Sequence, residues 1–119
     1  MAKPTIGVVG LGTMGLGIAQ VYAAAGFPVI ATDAHAPARA NAAERMATAL
    51  AARVAAGKLS PEARDATLAN LQVAESLADF APCALVAEAI VEKPEAKQAL
   101  FAELEAILSD QAVLATNTS

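Results

Sequence analysis

With 119 residues, 56% of them hydrophobic and only 3% aromatic, the chain is long enough for one small domain with a mainly aliphatic core. Its net charge of −4 excludes a protein that binds nucleic-acid phosphates through a basic face, although a few donors could still hold a small anion. The one cysteine, Cys83, cannot form an internal disulfide, so we expect a reducing, cytoplasmic compartment and a buried, unreactive thiol.

Residues 4–32 carry no charged side chain, which raises the alternative of a membrane-directed leader. Five glycines between Gly7 and Gly17 argue against it, because each would weaken a helix by about 1 kcal/mol relative to alanine. Pro28 divides the run further, into pieces too short to span a bilayer. We therefore expect neither a leader nor a membrane contact.

The first part of the chain predicts two apolar strands separated by a helix. Residues 5–10 form the first strand, residues 14–25 have helical apolar spacing that ends at Gly26, and residues 29–32 form the second strand. Continuously apolar strands with a helix between them indicate a parallel sheet covered on both faces. An alanine-rich helix over residues 36–56 follows.

A second helix is predicted after a stop at Gly57, because Ser60 is a good cap and Pro61 suits a first helical position. The two helices form a hairpin over about residues 36–70. Strands then follow over residues 71–74, 85–89 and 112–116, with a brief helix over residues 76–80 and a longer one opening at Pro94. The longer helix carries an apolar stripe that predicts core packing, made of Leu100, Phe101, Leu104, Ile107 and Leu108. We expect a doubly wound α/β fold over residues 1–119, incomplete at its C-terminal end.

The clearest motif is G-x-G-x-x-G, between the first strand and its helix. Gly10 permits the tight turn, Gly12 lets the backbone approach a pyrophosphate, and Gly15 lets the helix pack close to the strand. The pyrophosphate would lie on the first amides of the helix, where the helix dipole favours negative charge. Six residues are therefore predicted to bind a dinucleotide: Gly10, Leu11, Gly12, Thr13, Met14 and Gly15.

Asp33 completes this fingerprint, since it follows Gly15 by 18 residues, near the expected distance of about 20. A carboxylate there accepts hydrogen bonds from the adenosine ribose and repels a 2′-phosphate, which predicts NAD rather than NADP as the cofactor. The alternative is a solvated loop aspartate beside a glycine turn that serves only packing. His35 is predicted to be a solvated loop residue, and no metal site is predicted.

Two further segments follow strands and should border the same crevice: AEAIVEKPEAK at residues 87–97 and ATNTS at residues 115–119. Glu92 and Lys97 could reach a nicotinamide ribose, or could form only a surface ion pair.

With these motifs, the whole chain resembles the NAD-binding domain of the 3-hydroxyacyl-CoA dehydrogenase family. The resemblance rests on G-x-G-x-M-G-x-G-I-A-Q at residues 10–20, Asp33, the helical hairpin, E-A-I-V-E at residues 88–92 and A-T-N-T-S at residues 115–119. It implies that NAD is contacted by residues 10–15 and by Asp33, Glu92, Lys97 and Asn117. It also implies that Ser119 is a catalytic residue, hydrogen-bonded near the 3-oxygen of the substrate.

The family oxidises the 3-hydroxyl of a fatty acyl-CoA, with a glutamate-held histidine taking the proton while a hydride passes to NAD. That His-Glu pair, the acyl pocket and most dimer contacts belong to family segments beyond Ser119, and His35 cannot substitute. The resemblance therefore implies the cofactor part of a homodimeric enzyme, inactive by itself, and no CoA contact is carried over to the hairpin.

Two alternatives stay open at this stage. The 3-hydroxyisobutyrate and 6-phosphogluconate dehydrogenases share G-L-G-x-M-G, although Asp33 and the long hairpin fit them less well. A non-catalytic NAD-binding module of crystallin-like or sensor type would carry the same cofactor residues.

Overall fold

The computed structural model describes residues 3–90 and 94–116. The five strands are β1 (Thr5–Val9), β2 (Val29–Thr32), β3 (Leu71–Val73), β4 (Cys83–Glu88) and β5 (Val113–Thr116). The four α-helices are α1 (Thr13–Ala24), α2 (Ala36–Ala55), α3 (Pro61–Ala69) and α4 (Pro94–Ile107), and a short 3-10 helix covers Leu77–Phe80. Strands and helices alternate, as short apolar runs bounded by glycine, proline and serine predict.

The strands form one fully parallel sheet in the order β3-β2-β1-β4-β5, with β1 at its centre. Ile6 of β1 pairs with Val29 of β2 on one side and with Leu85 of β4 on the other. The direction of winding reverses between β1 and β4, and ligands of such sheets bind beyond the strand ends at that point. The doubly wound α/β class predicted from the sequence is confirmed.

Each face of the sheet buries its own hydrophobic core. One core packs α1 and α2 on the sheet through residues such as Ile6, Leu16 and Met46, and the other is centred on Phe80 and Leu104. Within residues 3–90 and 94–116, no helix is long and apolar enough to cross a membrane.

Cys83 belongs to the second core, where only 2% of the residue is exposed. Burial raises the pKa of its thiol to about 11, so the thiol stays protonated and unreactive at neutral pH. The prediction of a small buried hydrophobe at this position is confirmed.

The helical hairpin has the predicted boundaries. Gly57 ends the first helix with a φ of 74°, and the Ser60 hydroxyl oxygen accepts a hydrogen bond from the Ala63 amide at 3.1 Å. This contact is the cap expected of a serine before a proline at the first helical position.

Two expectations for the second half need correction. β4 starts at Cys83, which pairs with Thr5, and ends at Glu88, so it lies one to two residues earlier than predicted. In α4 only Leu104 is fully buried, while the rest of the stripe is half-buried: Leu100, Phe101, Ile107 and Leu108. Leu100 also lines a cleft, so the stripe serves both the core and that cleft.

Candidate functional site

The turn after β1 is built around two glycines that no other residue could replace without movement. Gly10 has a φ of 108°, and a Cβ on it would lie 2.6 Å from the carbonyl oxygen of Ala89. A Cβ on Gly15 would lie 1.7 Å from the carbonyl oxygen of Gly10. These two positions let the chain turn sharply from β1 into α1.

Gly12 differs from both, because a Cβ there would meet no atom within 4 Å. Its backbone instead faces open space at the N-cap of α1, where the first helix amides point outward. No side chain caps this helix end. The turn therefore offers bare amides and room for an anionic group, the arrangement that a pyrophosphate needs.

Asp33 connects the end of β2 to this turn. Its Oδ2 accepts a hydrogen bond from the Leu11 amide at 2.7 Å, and its Oδ1 accepts one from the His35 amide at 2.8 Å. A carboxylate accepts about four hydrogen bonds, so acceptor capacity remains for the two hydroxyls of a ribose. Asp33 is half-buried, and it is therefore not the fully solvated loop aspartate of the alternative interpretation.

Two arginines of α2 also support the turn, and the sequence analysis missed both. Arg45 Nη1 donates to the Leu11 carbonyl oxygen at 2.7 Å, and Arg39 Nη1 donates to the Asp33 carbonyl oxygen at 2.7 Å. Arg39 and Arg45 are the first lysine or arginine residues after Lys3, and this was the one feature of the sequence that could have drawn attention to them.

These groups border a cleft of about 800 Å³, within the range of small-molecule sites. It opens at the carboxyl ends of β1 and β2, with Gly10, Gly12, Asp33 and Arg39 on one side. On the other side, α4 contributes Ala96, Ala99, Leu100 and Glu103. Within the described ranges, no three His, Cys, Asp or Glu side chains come together as a metal site would require.

On the side of β1 opposite to β2, a buried carboxylate lies at the end of β4. Glu88 has no exposed surface, and its Oε2 accepts a hydrogen bond from the Ile90 amide at 2.7 Å. Its Oε1 accepts one from the Thr116 hydroxyl at 2.8 Å and lies 3.5 Å from Lys97 Nζ. Sequence analysis quoted Glu88 only within a motif, because its contact with Thr116, 28 residues away, depends on the pairing of β4 with β5.

Apart from Gly15, described above, the predicted site residues fall into four groups. Gly10, Gly12 and Asp33 line the cleft together, whereas the Leu11 side chain is fully buried and only its backbone faces the turn. Thr13 and Met14 are exposed at the start of α1. Lys97 pairs with Glu88 through a side chain that is 17% exposed, so its ion pair is not a surface one. Glu92, Asn117 and Ser119 lie outside the described residues.

The residues present fit the adenosine and pyrophosphate parts of a dinucleotide. The open N-cap at Gly12 leaves space for the phosphates, and the Asp33 carboxylate presents acceptors to a ribose while opposing a 2′-phosphate.

Comparison with known proteins gives the same indication. Residues 5–119 match the family described as "3-hydroxyacyl-CoA dehydrogenase, NAD binding domain". The chain is 40% identical over 114 residues to a 3-hydroxybutyryl-CoA dehydrogenase of Bradyrhizobium diazoefficiens, covering 96% of this chain and 39% of that protein. It is 41% identical over 115 residues to a 3-hydroxyadipyl-CoA dehydrogenase of Escherichia coli, covering 97% of this chain and 24% of that protein.

A solved structure, that of the (S)-3-hydroxybutyryl-CoA dehydrogenase PaaH1 from Ralstonia eutropha, superposes with a TM-score of 0.91 at 30% identity. The match covers 97% of this chain and 41% of that one. The chain therefore spans well under half the length of these relatives.

Proposed function

Because the chain belongs to the family of 3-hydroxyacyl-CoA dehydrogenase NAD-binding domains, we propose that its protein oxidises an (S)-3-hydroxyacyl-CoA to the 3-oxoacyl-CoA. The cofactor part of the proposal is carried by one contact, the 2.7 Å hydrogen bond from the Leu11 amide to Asp33 Oδ2. This bond fixes a ribose-binding carboxylate beside a phosphate-binding turn, which is the arrangement that selects NAD.

The described residues act by holding and orienting the dinucleotide. The turn at Gly12 and the first amides of α1 bind the pyrophosphate, and Asp33 accepts hydrogen bonds from the adenosine ribose. Bound NAD supplies a hydride acceptor. From the resemblance, Glu92, Lys97 and Asn117 contact the nicotinamide half, and Ser119 donates a hydrogen bond to the 3-oxygen of the substrate.

The substrate class follows from relatives that differ in their acyl groups. One is named for a hydroxybutyryl and another for a hydroxyadipyl substrate, so the shared part is the 3-hydroxyacyl thioester. We also propose a cytoplasmic homodimer. The buried, unpaired Cys83 supports the compartment, and the family resemblance supports the dimer.

Cofactor selection tests the proposal. Titration by NADH fluorescence should give a much lower Kd for NADH than for NADPH, because Asp33 opposes the 2′-phosphate. Asp33→Ala should weaken NADH binding by about 1–3 kcal/mol, through loss of a charged hydrogen-bond acceptor. Asp65→Ala is the matched control, since Asp65 is exposed on α3 and pairs only locally with Arg64. Equal affinities for the two nucleotides in the parent protein would contradict the role given to Asp33.

A further inference from the structure

Glu88 is the only charged residue with a buried side chain among residues 3–90 and 94–116. It lies at the end of β4, opposite Val9 of β1 and Thr116 of β5, where the winding of the sheet reverses. Removing a carboxylate from water is costly unless it is paired and hydrogen-bonded. At the strand ends that border the cleft, hydrogen bonds and an ion pair to Glu88 offset this cost.

Within residues 3–90 and 94–116, Glu88 has contacts from three different parts of the fold. The Ile90 amide belongs to the segment leaving β4, the Thr116 hydroxyl to the end of β5, and the Lys97 ammonium to the first turn of α4. Glu88 itself does not line the cleft, whereas Ile90 and Ala96, next to Lys97, do. Any effect of Glu88 on a bound ligand must therefore pass through its partners.

A buried ion pair is weak evidence for stability, because well-packed apolar residues often replace such pairs without loss. Its position is more informative. A dinucleotide bound across this sheet has its adenosine half beside Asp33, on the β2 side, and its other half on the β4–β5 side. The Glu88 contacts are all on that second side.

We propose that Glu88 is a positioning residue for the nicotinamide half of the site. Its carboxylate fixes the Lys97 ammonium and the end of β5, from which residues 117–119 continue. The inference rests on the proposed function, since it assumes that a dinucleotide occupies the cleft.

Two ligands separate this role from a general loss of structure. In the natural full-length protein, Glu88→Gln should raise the Kd for NADH about tenfold, as expected for loss of a charged partner. The Kd for ADP, which keeps the adenosine and both phosphates but lacks the nicotinamide ribose and the nicotinamide, should stay within about twofold. An equal loss for both ligands, or no loss for NADH, would overturn the proposal.

A double-mutant cycle then tests whether Glu88 acts through Lys97. Adding Glu88→Gln to a Lys97→Met variant should cause little further loss of NADH affinity, because the shared interaction is already gone. Fully additive losses would overturn the proposal. Thr67→Val is the control, since Thr67 is also buried and polar but lies in α3 and bonds to Ala63 of the same helix.

A measurement without nucleotide keeps this inference separate from the proposed function. Lys97 should be acetylated more slowly than the exposed Lys58, and Glu88→Gln should reduce that difference. An unchanged ratio of the two rates would refute positioning by Glu88, even if the parent protein failed to bind NADH and the proposed function were wrong.

If Glu88→Gln does not fold, Glu88→Asp replaces it, because aspartate keeps the negative charge but its side chain is shorter by one methylene. In Glu88→Asp, Lys97 should be acetylated faster than in the parent protein but more slowly than the exposed Lys58.

Discussion

Individual glycines of the turn after β1 have separable roles. Gly15 is required by geometry, because a Cβ on it would collide with the Gly10 carbonyl oxygen at 1.7 Å. No protein atom would collide with a Cβ on Gly12. The open space beside Gly12 is where an anionic ligand would approach. We therefore assign Gly15 to the fold and propose that Gly12 serves the ligand.

Alanine substitutions should reveal this division. Gly15→Ala should destabilise the fold by several kcal/mol, because backbone must move to remove the clash. Gly12→Ala should leave the thermal midpoint nearly unchanged, since its φ of −71° suits alanine. The same variant should weaken NADH binding by tenfold or more, because the methyl group occupies the approach of the pyrophosphate.

Gly17→Ala is the internal control for this pair. Gly17 lies within α1, and a Cβ there would meet nothing within 4 Å. Replacing a glycine by alanine inside a helix should stabilise the protein by about 0.5–1 kcal/mol and leave the NADH Kd unchanged. Thermal denaturation and NADH titration check all three variants, and a normal NADH Kd for Gly12→Ala would contradict the pyrophosphate assignment.

Among the elements, α2 does more than cover one face of the sheet. It packs through Ala42, Met46 and Leu50, while Arg39 and Arg45 bond to carbonyl oxygens at the end of β2 and at the turn. Arg45 holds the Leu11 carbonyl, and Asp33 accepts from the Leu11 amide. The peptide groups around Leu11 are thus held from both sides.

Removing one of these supports should loosen the turn without unfolding the domain. Arg45→Met should speed hydrogen exchange of the Leu11 amide and weaken NADH binding, each by about 1.5 kcal/mol or roughly tenfold, as for loss of a charged hydrogen bond. Arg53→Met is the control on the same helix, because Arg53 is exposed in its last turn. If Arg45→Met changes neither quantity, the turn is rigid without α2.

The residues that sequence analysis found and missed differ in how far their partners lie along the chain. Gly57, Ser60 and Pro61 act on neighbouring backbone, so the hairpin boundaries could be predicted from local rules. Glu88 bonds to Thr116 across 28 positions, and Arg45 bonds to Leu11 across 34. Such pairs depend on strand register and helix placement, which no local rule supplies.

For the molecule as a whole, the described residues contain a cleft that fits a dinucleotide, and they include one histidine as a candidate base. His35, the only histidine of the sequence, is exposed at the start of α2 beside Asp33, where we propose that the adenosine half binds. Positioned general bases contribute about 10²–10⁴-fold to such reactions. Cofactor binding and turnover should therefore be separable.

Expressed alone, residues 1–119 should bind NADH but fail to reduce NAD with 3-hydroxybutyryl-CoA at a useful rate. Loss of substrate positioning would add to the missing base. NADH absorbance at saturating substrate is the measurement, and a polypeptide carrying a family His-Glu pair, supplied in cis or as a second chain, is the positive control. Rapid turnover by residues 1–119 alone would show that a base lies among them, and Glu92 would be the first to replace.

The central place of β1 in the sheet has a consequence for synthesis. β1 leaves the ribosome before the other four strands of this sheet, yet it pairs on one side with β2 and on the other with β4, which follows much later. In the interval, one edge of an apolar strand has no hydrogen-bonding partner, and residues 4–32 offer no charge to discourage pairing with another chain. The nascent chain is therefore at risk of aggregation until β4 has emerged from the ribosome, and slow translation up to that point would lengthen the period of risk.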